Sequence, residues 1–236
     1  MFGDQLARVW DLIYQTGRGK DYHAEAELVA ETVRARNPGA RSLLDVGCGT
    51  GEHMVAFGEL FDHAEGVDLS EPMISIARDK APHTTFHVGD MCTFDLGRSF
   101  DAVVSLYTAV GYLPSLDALS AALRRMAAHL TPDGVLVVEP WWFAEKFLDG
   151  HVAGDVVQED GRTVARVSRT ERRDDRAHME IHYTVADGNG IQSFTESHSF
   201  GIWTRQQYLQ AFADAGCQVE YVEDVLYCGM FVGCRA

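Results

Sequence analysis

Residues 43–51 read LLDVGCGTG, a buried-strand pattern that runs directly into three glycines. The glycines at positions 47, 49 and 51 permit tight turns and let the backbone pass close beneath a ligand. A helix predicted to begin at Glu52 would present its free N–H groups at the same place. One such motif is also typical of an ordinary turn that packs a strand against a helix, with Asp45 as a cap. The segment therefore predicts a strand, a glycine loop and a helix, and the neighbouring strands must indicate whether a ligand binds there.

The alternation of strands and helices continues on the carboxyl side of this segment. Helical patterns cover about 52–61, 71–80 and 115–130, and apolar strand patterns cover 64–68, 84–88, 101–106 and 135–139. Two further helices are predicted before residue 37. Strands that alternate with helices predict an α/β fold with a parallel sheet covered on both faces.

The pattern changes after the fifth strand. Polar segments with period-two alternation occupy 152–158, 162–170, 177–185 and 192–200, and turn sequences separate them. This predicts a small antiparallel sheet inserted in the chain. A helix at about 204–215 and strands at 217–223 and 229–234 follow.

Composition excludes several classes of protein. The chain has 236 residues, 46% of them hydrophobic, and a net charge of −15, so we expect a folded core and no nucleic-acid partner. No run approaches the roughly 18 apolar residues of a membrane span. Five scattered cysteines, ten scattered histidines and no signal-peptide pattern predict a cytoplasmic protein with reduced thiols and no metal.

Acidic residues after successive strands indicate the cofactor. Glu52 stands where a nicotinamide-binding GxGxxG motif has its third glycine, which disfavours the alternative of a nicotinamide oxidoreductase. Asp45 would repel a pyrophosphate and attract an ammonium group. Asp68 ends the second strand, where a carboxylate can accept both ribose hydroxyls, and Asp90 and Met91 suit an adenine ring. We therefore predict S-adenosylmethionine, with S-adenosylhomocysteine as product.

These residues resemble the pattern of the class I, Rossmann-like S-adenosylmethionine-dependent methyltransferases over about residues 40–140 and the closing strands. The resemblance implies a seven-stranded sheet of order 3-2-1-4-5-7-6 with an antiparallel last strand. It also implies that the methionine part of the cofactor lies on Gly47, Gly49, Gly51 and Leu106, the ribose on Asp68, and the adenine on Asp90 and Met91. Met73 is a further candidate neighbour of the adenine, with core packing on its helix as the alternative.

Other segments are similar to those of the N,N-dimethyltransferases of nucleotide-linked amino sugars in macrolide antibiotic pathways. They are GRGKDY at 17–22, EPWWF at 139–143, MEIHY at 179–183 and MFVG at 230–233. The resemblance implies that Tyr22 helps to hold the cofactor and that the residues after EPWW form a wall of the acceptor pocket. On this basis residues 1–236 form one methyltransferase domain, with a helical lid at 1–40 and the inserted sheet at 150–202 over the active site.

The acceptor side departs from that family at three positions. Phe2, Tyr112 and Cys228 stand where the family has a tyrosine, a histidine and an arginine suited to a diphosphate. We therefore favour another small-molecule natural product, by resemblance to the methyltransferase that S-methylates the disulfide of quinoxaline depsipeptides to a thioacetal. The alternatives are N-methylation of a nucleotide-linked amino sugar and a cofactor-binding module without catalysis.

Aromatic residues supply the predicted acceptor pocket. Tyr14 and Tyr112 are the candidate catalytic residues, either as hydrogen-bond donors that orient the acceptor or as bases, with simple packing as the alternative. His182 and His198 are further candidate bases that could instead face solvent, and Glu139 either acts in the site or caps a loop. We expect a monomer or a homodimer. The predicted substrate-binding residues are Phe2, Trp10, Trp141, Trp142, Phe143 and His182, with core packing as the alternative for Trp10 and Phe143.

Overall fold

The computed structural model describes residues 4–17 and 19–235, which form two β-sheets and six α-helices within those ranges. The helices are α1 (Asp4–Asp11), α2 (Tyr22–Arg34), α3 (Glu52–Leu60), α4 (Glu71–Lys80), α5 (Leu116–Ala128) and α6 (Arg205–Asp214). The larger sheet contains β1 (Ser42–Val46), β2 (His63–Asp68), β3 (Thr85–Val88), β4 (Phe100–Ser105), β5 (Leu130–Val138), β10 (Cys217–Val222) and β11 (Met230–Arg235). The smaller sheet contains β6 (His151–Glu159), β7 (Arg162–Arg173), β8 (Arg176–Asp187) and β9 (Gly190–Gly201).

The larger sheet has the strand order β3-β2-β1-β4-β5-β11-β10. Strands β1 to β5 pair in parallel, and β11 is antiparallel to both β5 and β10. This confirms the predicted α/β fold, including the order 3-2-1-4-5-7-6 and the antiparallel last strand. The carboxyl ends of β1, β2, β4 and β5 therefore meet at one edge of the sheet, which is where ligands bind in such folds.

Helices cover both faces of the larger sheet with apolar side chains. On one face α5 and α6 bury Leu123 and Phe212 against strand residues such as Phe231. On the other, α2, α3 and α4 bury Val29, Phe57 and Ile74, among others. This two-sided burial explains why the strands are almost continuously apolar rather than alternating.

The smaller sheet, which we call the inserted sheet, is antiparallel with the order β6-β7-β8-β9. Side chains alternate between its faces. On β7, Val164, Arg166 and Ser168 are buried, whereas Val167 between them is 56% exposed. The inserted sheet therefore has one covered face and one open face.

The covered face packs against residues 4–17, the N-terminal segment. Leu6 and Ile13 of that segment share a buried apolar cluster with Val164 and Tyr183 of the inserted sheet. Helix α2 instead packs on the larger sheet. The proposed lid is therefore best confined to the N-terminal segment, and the single-domain division remains our interpretation. No helix within residues 4–17 and 19–235 is long and apolar enough to cross a membrane.

Candidate active site

A cavity of about 840 Å³ lies between the carboxyl edge of the larger sheet, the N-terminal segment and the covered face of the inserted sheet. Most of the residues predicted from the sequence line it. They are Trp10, Tyr14, Tyr22, Asp45, Gly47, Gly49, Asp68, Met73, Asp90, Met91, Leu106, Tyr112, Trp141 and Trp142. The cavity thus brings the predicted cofactor residues and the predicted acceptor residues into one enclosed space.

The glycine loop (residues 47–51) forms the floor of the cofactor end. Gly47 has φ +84°, and a Cβ there would lie 2.7 Å from the Cβ of Ala109, so a side chain does not fit. The N–H of Gly49 donates a hydrogen bond of 2.9 Å to Oδ2 of Asp68. This bond joins the loop after β1 to the end of β2.

Gly51 has a different position from the one predicted. It precedes α3 with φ +79°, and a Cβ would lie 2.9 Å from the Cβ of Ala77 on α4. It does not line the cavity. Its small size lets α3 approach α4, so the structure places Gly51 in helix packing rather than against the methionine part of a cofactor.

Asp45 is a buried carboxylate at the cofactor end. It is 2% exposed, and its Oδ1 has no hydrogen-bond partner among the described residues. Burial, together with the charge of Asp68, raises the pKa of Asp45 to about 8. A buried, unpaired carboxyl oxygen is costly unless a ligand supplies a donor, and an ammonium group is such a donor.

Asp68 and the adenine-side residues complete the cofactor end. Asp68 accepts hydrogen bonds from the N–H groups of Gly49 and Ser70, at 2.9 and 2.8 Å, which hold its carboxylate beside the cavity. Asp90 is exposed and accepts a 2.7 Å bond from the N–H of Cys92. Met91 lies near Gly47, and Met73 and Leu106 are buried residues of the cavity wall. Carboxylates for an ammonium and a ribose, together with apolar side chains, fit S-adenosylmethionine.

The acceptor end is lined by aromatic rings. Trp10 and Tyr14 have ring centroids 4.4 Å apart, and Tyr14 lies edge-on to Tyr107 at 5.3 Å. On the opposite wall Trp141 stacks on Phe200 at 4.1 Å. These rings give the acceptor end a largely aromatic wall beside the cofactor end.

Tyr112 occupies the acceptor end beside a histidine of the inserted sheet. Its ring is 5.6 Å from that of His198, and both residues line the cavity. Burial raises the pKa of Tyr112 well above its usual value, and burial lowers the pKa of His198 to about 4. At neutral pH the pair is therefore an un-ionised phenol and an uncharged imidazole.

Glu139 caps two loops rather than lining the cavity. Its buried carboxylate accepts the N–H of Tyr107 at 2.6 Å and the N–H of Tyr227 at 3.1 Å. Tyr107 and Thr108 have φ of 47° and 62°, a strained left-handed backbone for residues other than glycine. Burial raises the pKa of Glu139 to about 7. Of the two roles open to it from sequence, the structure shows the capping contacts.

Two of the predicted substrate residues lie away from the cavity, and a third lies outside the described residues. Phe143 is 2% exposed and packs against Tyr221 and Phe231 in the core. His182 projects from the open face of the inserted sheet and contacts Glu180 at 2.6 Å, because its strand neighbours occupy the covered face. Phe2 belongs to the residues that the structure does not describe.

Sequence reasoning missed Arg166, Ser168 and Thr170 of β7, which are buried and line the cavity. The residues alternate along a single strand, which indicates that they share one face but not that this face is covered. They were overlooked because charged and hydroxyl side chains on a polar strand usually face solvent. As for metals, no group of three or more His, Cys, Asp or Glu side chains in the described ranges could hold an ion.

Comparison with known proteins identifies relatives along the whole chain. The family described as a methyltransferase domain matches residues 43–134. The dTDP-3-amino-3,4,6-trideoxy-alpha-D-glucopyranose N,N-dimethyltransferase of Streptomyces venezuelae is 50% identical over 238 residues, which cover 100% of both chains. Crystalline DesVI of Streptomyces venezuelae superposes with a TM-score of 0.94 at 50% identity, covering 98% of each chain.

A further solved structure contains the cofactor. S-adenosylmethionine-bound CalS10, an amino pentose methyltransferase of Micromonospora echinaspora, has a TM-score of 0.89 and 48% identity over 97% of each chain. These relatives are named for amino sugars, so they give no support to the S-methylation of a depsipeptide disulfide that the sequence analysis favoured. They also exclude a nicotinamide enzyme and a module without catalysis, since the chain is a transferase that uses S-adenosylmethionine. Because half of its residues are identical to those of the Streptomyces venezuelae N,N-dimethyltransferase along the whole chain, this protein belongs to the class I S-adenosylmethionine-dependent methyltransferases, in the family that includes the amino-sugar N,N-dimethyltransferases.

Proposed function

We propose that this enzyme transfers methyl groups from S-adenosylmethionine to the amino group of a nucleotide-linked sugar in the biosynthesis of a natural product. The observation that carries the proposal is the 50% identity to a dTDP-amino-sugar N,N-dimethyltransferase over the complete chain, inserted sheet included. CalS10, a relative of similar identity, takes part in calicheamicin biosynthesis, which favours an antibiotic pathway here as well.

We assign a role to each acidic group at the cofactor end of the cavity. Asp45 would pair with the ammonium of the methionine part, and Asp68 would accept the ribose hydroxyls. Asp90 and Met91 contact the adenine, and Tyr22 closes the side of the cavity nearest α2. When bound, S-adenosylmethionine supplies an electrophilic methyl group on a sulfonium.

The acceptor end holds the amine in line with that methyl group. Orientation of two reactants can lower a barrier by roughly 7–11 kcal/mol in favourable cases. The rings of Trp10, Tyr14 and Trp141 surround this space, and Trp142 lies at its rim against Tyr227, with ring centroids 5.2 Å apart. Their main contribution is to fix the position of the sugar and to exclude water.

An amine attacks as its neutral form, so the ammonium must lose a proton. Tyr112 keeps its own proton at neutral pH because burial raises its pKa. We therefore assign Tyr112 and Tyr14 to orient the amine through hydrogen bonds rather than to act as ionised bases. His198 is uncharged at neutral pH because burial lowers its pKa to about 4, so its imidazole is a poor proton acceptor. We assign it to accept a hydrogen bond from the amine, and the ammonium proton passes to water before the transfer.

Mass spectrometry can test the acceptor directly. The enzyme is incubated with S-adenosylmethionine and either a dTDP-linked 3-amino sugar or a bridged quinoxaline depsipeptide. We expect one or two added methyl groups on the nitrogen of the sugar and none on the peptide, with Asp68→Ala as the inactive control. Methylation of the peptide alone would refute the proposal.

A further inference from the structure

Arg166 is a buried guanidinium whose hydrogen-bonding capacity is only partly used. It is 3% exposed and lines the acceptor end of the cavity. Its Nη1 donates to Oγ of Ser168 at 3.1 Å and lies 3.4 Å from Oδ2 of Asp155. Its Nη2 lies 3.7 Å from Sδ of Met179. Its Nε has no hydrogen-bond partner among the described residues.

The underused donors lie on one edge of the side chain. The N–H groups of Nε and Nη2 point in parallel, which is the fork that binds two oxygens of a phosphate or a carboxylate. A thioether is a weak acceptor, so Met179 does not satisfy this edge. Because methionine is flexible, Met179 can turn aside when a stronger acceptor arrives.

Hydroxyl groups continue the site along the same strand. Ser168 and Thr170 are buried at 5% and 4% exposure and face the cavity with Arg166. Two hydroxyls and a guanidinium in a row can donate to several oxygens of one anion. The nearby Asp155 offsets part of the charge, but it meets only Nη1, at 3.4 Å.

Charged groups of both signs line the cavity. Asp68 and Asp90 lie at the cofactor end, which suits a cationic cofactor, whereas the inserted sheet contributes the buried Arg166 and the partly exposed Glu196. The family resemblance places a phosphate-binding arginine at position 228. The buried Cys228 found there does not line the cavity.

We propose that Arg166, with Ser168 and Thr170, binds the phosphate groups of the acceptor and so selects phosphorylated acceptors over free sugars. This inference rests on the proposed function and deepens it. It moves phosphate recognition from the closing strand to β7 of the inserted sheet.

Calorimetry on the protein saturated with S-adenosylhomocysteine tests the assignment. The probes are thymidine diphosphate, inorganic pyrophosphate and thymidine. Because Arg166→Met loses hydrogen bonds to a charged group, its affinity for thymidine diphosphate should be roughly 10- to 100-fold lower. Its affinity for pyrophosphate should fall in parallel, and its affinity for thymidine should change little. The matched control is Arg169→Met, which removes the same charge from the open face of β7, where Arg169 is exposed and pairs with Glu171. It should change the affinity less than about twofold.

Several results would overturn the assignment. They are failure of the unaltered enzyme to bind thymidine diphosphate, equal binding by Arg166→Met, or equal losses in the two variants. If Arg166→Met is unfolded by circular dichroism, Arg166→Lys takes its place, since it keeps the charge and removes the fork; unchanged affinity in that variant overturns the assignment too. A separate assay of methyl transfer to the dTDP-amino sugar keeps the two proposals apart. Arg166-dependent binding without transfer would refute the proposed function and leave the phosphate site in place.

Discussion

Asp11 of the N-terminal segment accepts a hydrogen bond of 2.7 Å from the hydroxyl of Thr50 in the glycine loop. Its other oxygen accepts a 2.5 Å bond from Nζ of Lys80 at the end of α4. Trp10 and Tyr14 of the same segment line the cavity. These contacts therefore fasten the N-terminal segment to the glycine loop and to α4 beside the cofactor end of the cavity.

We predict that Asp11→Ala speeds release of S-adenosylhomocysteine. The variant removes both bonds, one of them charged, and such bonds contribute about 1–3 kcal/mol, so release should be roughly 5- to 100-fold faster. Stopped-flow displacement measures the rate, with Glu59→Ala on the exposed side of α3 as control. An unchanged rate would show that the segment does not gate the cofactor.

The ligand-free enzyme should lose stability as the pH rises through the range in which Asp45 ionises. Its folded pKa of about 8 is above the ordinary value of 3.8, so the folded state binds the extra proton and is favoured at low pH. The contribution of protonated Asp45 to the free energy of unfolding is fully present below pH 4 and is lost as the pH rises toward 8. Asp45→Asn removes this contribution of the carboxyl group. The free energy of unfolding in urea should therefore decrease less between pH 5 and pH 8 in the variant than in the unaltered enzyme. An equal decrease in both proteins would contradict the assigned pKa.

Cofactor binding at pH 7 should release a proton from Asp45. The carboxyl is mainly protonated in the free enzyme, because its pKa is about 8, and pairing with an ammonium favours the ionised form. Calorimetry in two buffers of different ionisation enthalpy measures the proton count. We expect close to one proton from the unaltered enzyme and close to none from Asp45→Asn. Equal counts would place the proton on another group.

Glu139→Gln should weaken acceptor binding while leaving the cofactor bound. The carboxylate accepts two backbone N–H groups, whereas a glutamine amide offers one oxygen and one donor, so one buried N–H loses its partner. We expect a loss of about 1–3 kcal/mol in unfolding free energy and a higher KM for the amino sugar, because Tyr107 and Tyr227 both line the cavity. Steady-state kinetics measures this KM in Glu139→Gln and in the control variant Glu145→Gln, which changes an exposed loop residue. A normal KM would leave Glu139 with a role in folding alone.

The parts of the site that sequence predicted share one property. Asp45, Gly47, Gly49 and Asp68 sit at the ends of strongly apolar strands, and parallel pairing brings all such ends to one edge. The strand pattern and the α/β fold class are therefore enough to predict that these residues lie close together. The strand order has another source, because only the resemblance to the class I methyltransferases implied it.

The positions that sequence could not supply depend on which way a side chain turns. Phe143 follows the Trp141-Trp142 pair but points into the core. His182 faces solvent because its neighbour Tyr183 occupies the covered face, and adjacent residues of a strand point to opposite faces. In the sequence Gly51 cannot be told from Gly47 and Gly49, and only the structure shows that it packs against α4. Arg166 was hidden because an alternating polar strand does not reveal which of its faces is covered.

The assigned cofactor site is tested by a titration of S-adenosylmethionine into the enzyme and into Asp68→Ala, with Asp62→Ala as the surface control. Asp68 joins the glycine loop to β2 and faces the cavity, whereas Asp62 is exposed and pairs with Arg41. We expect binding by the enzyme and by Asp62→Ala, and an affinity lower by roughly 100-fold or more in Asp68→Ala. Equal binding by all three proteins would contradict the assigned site.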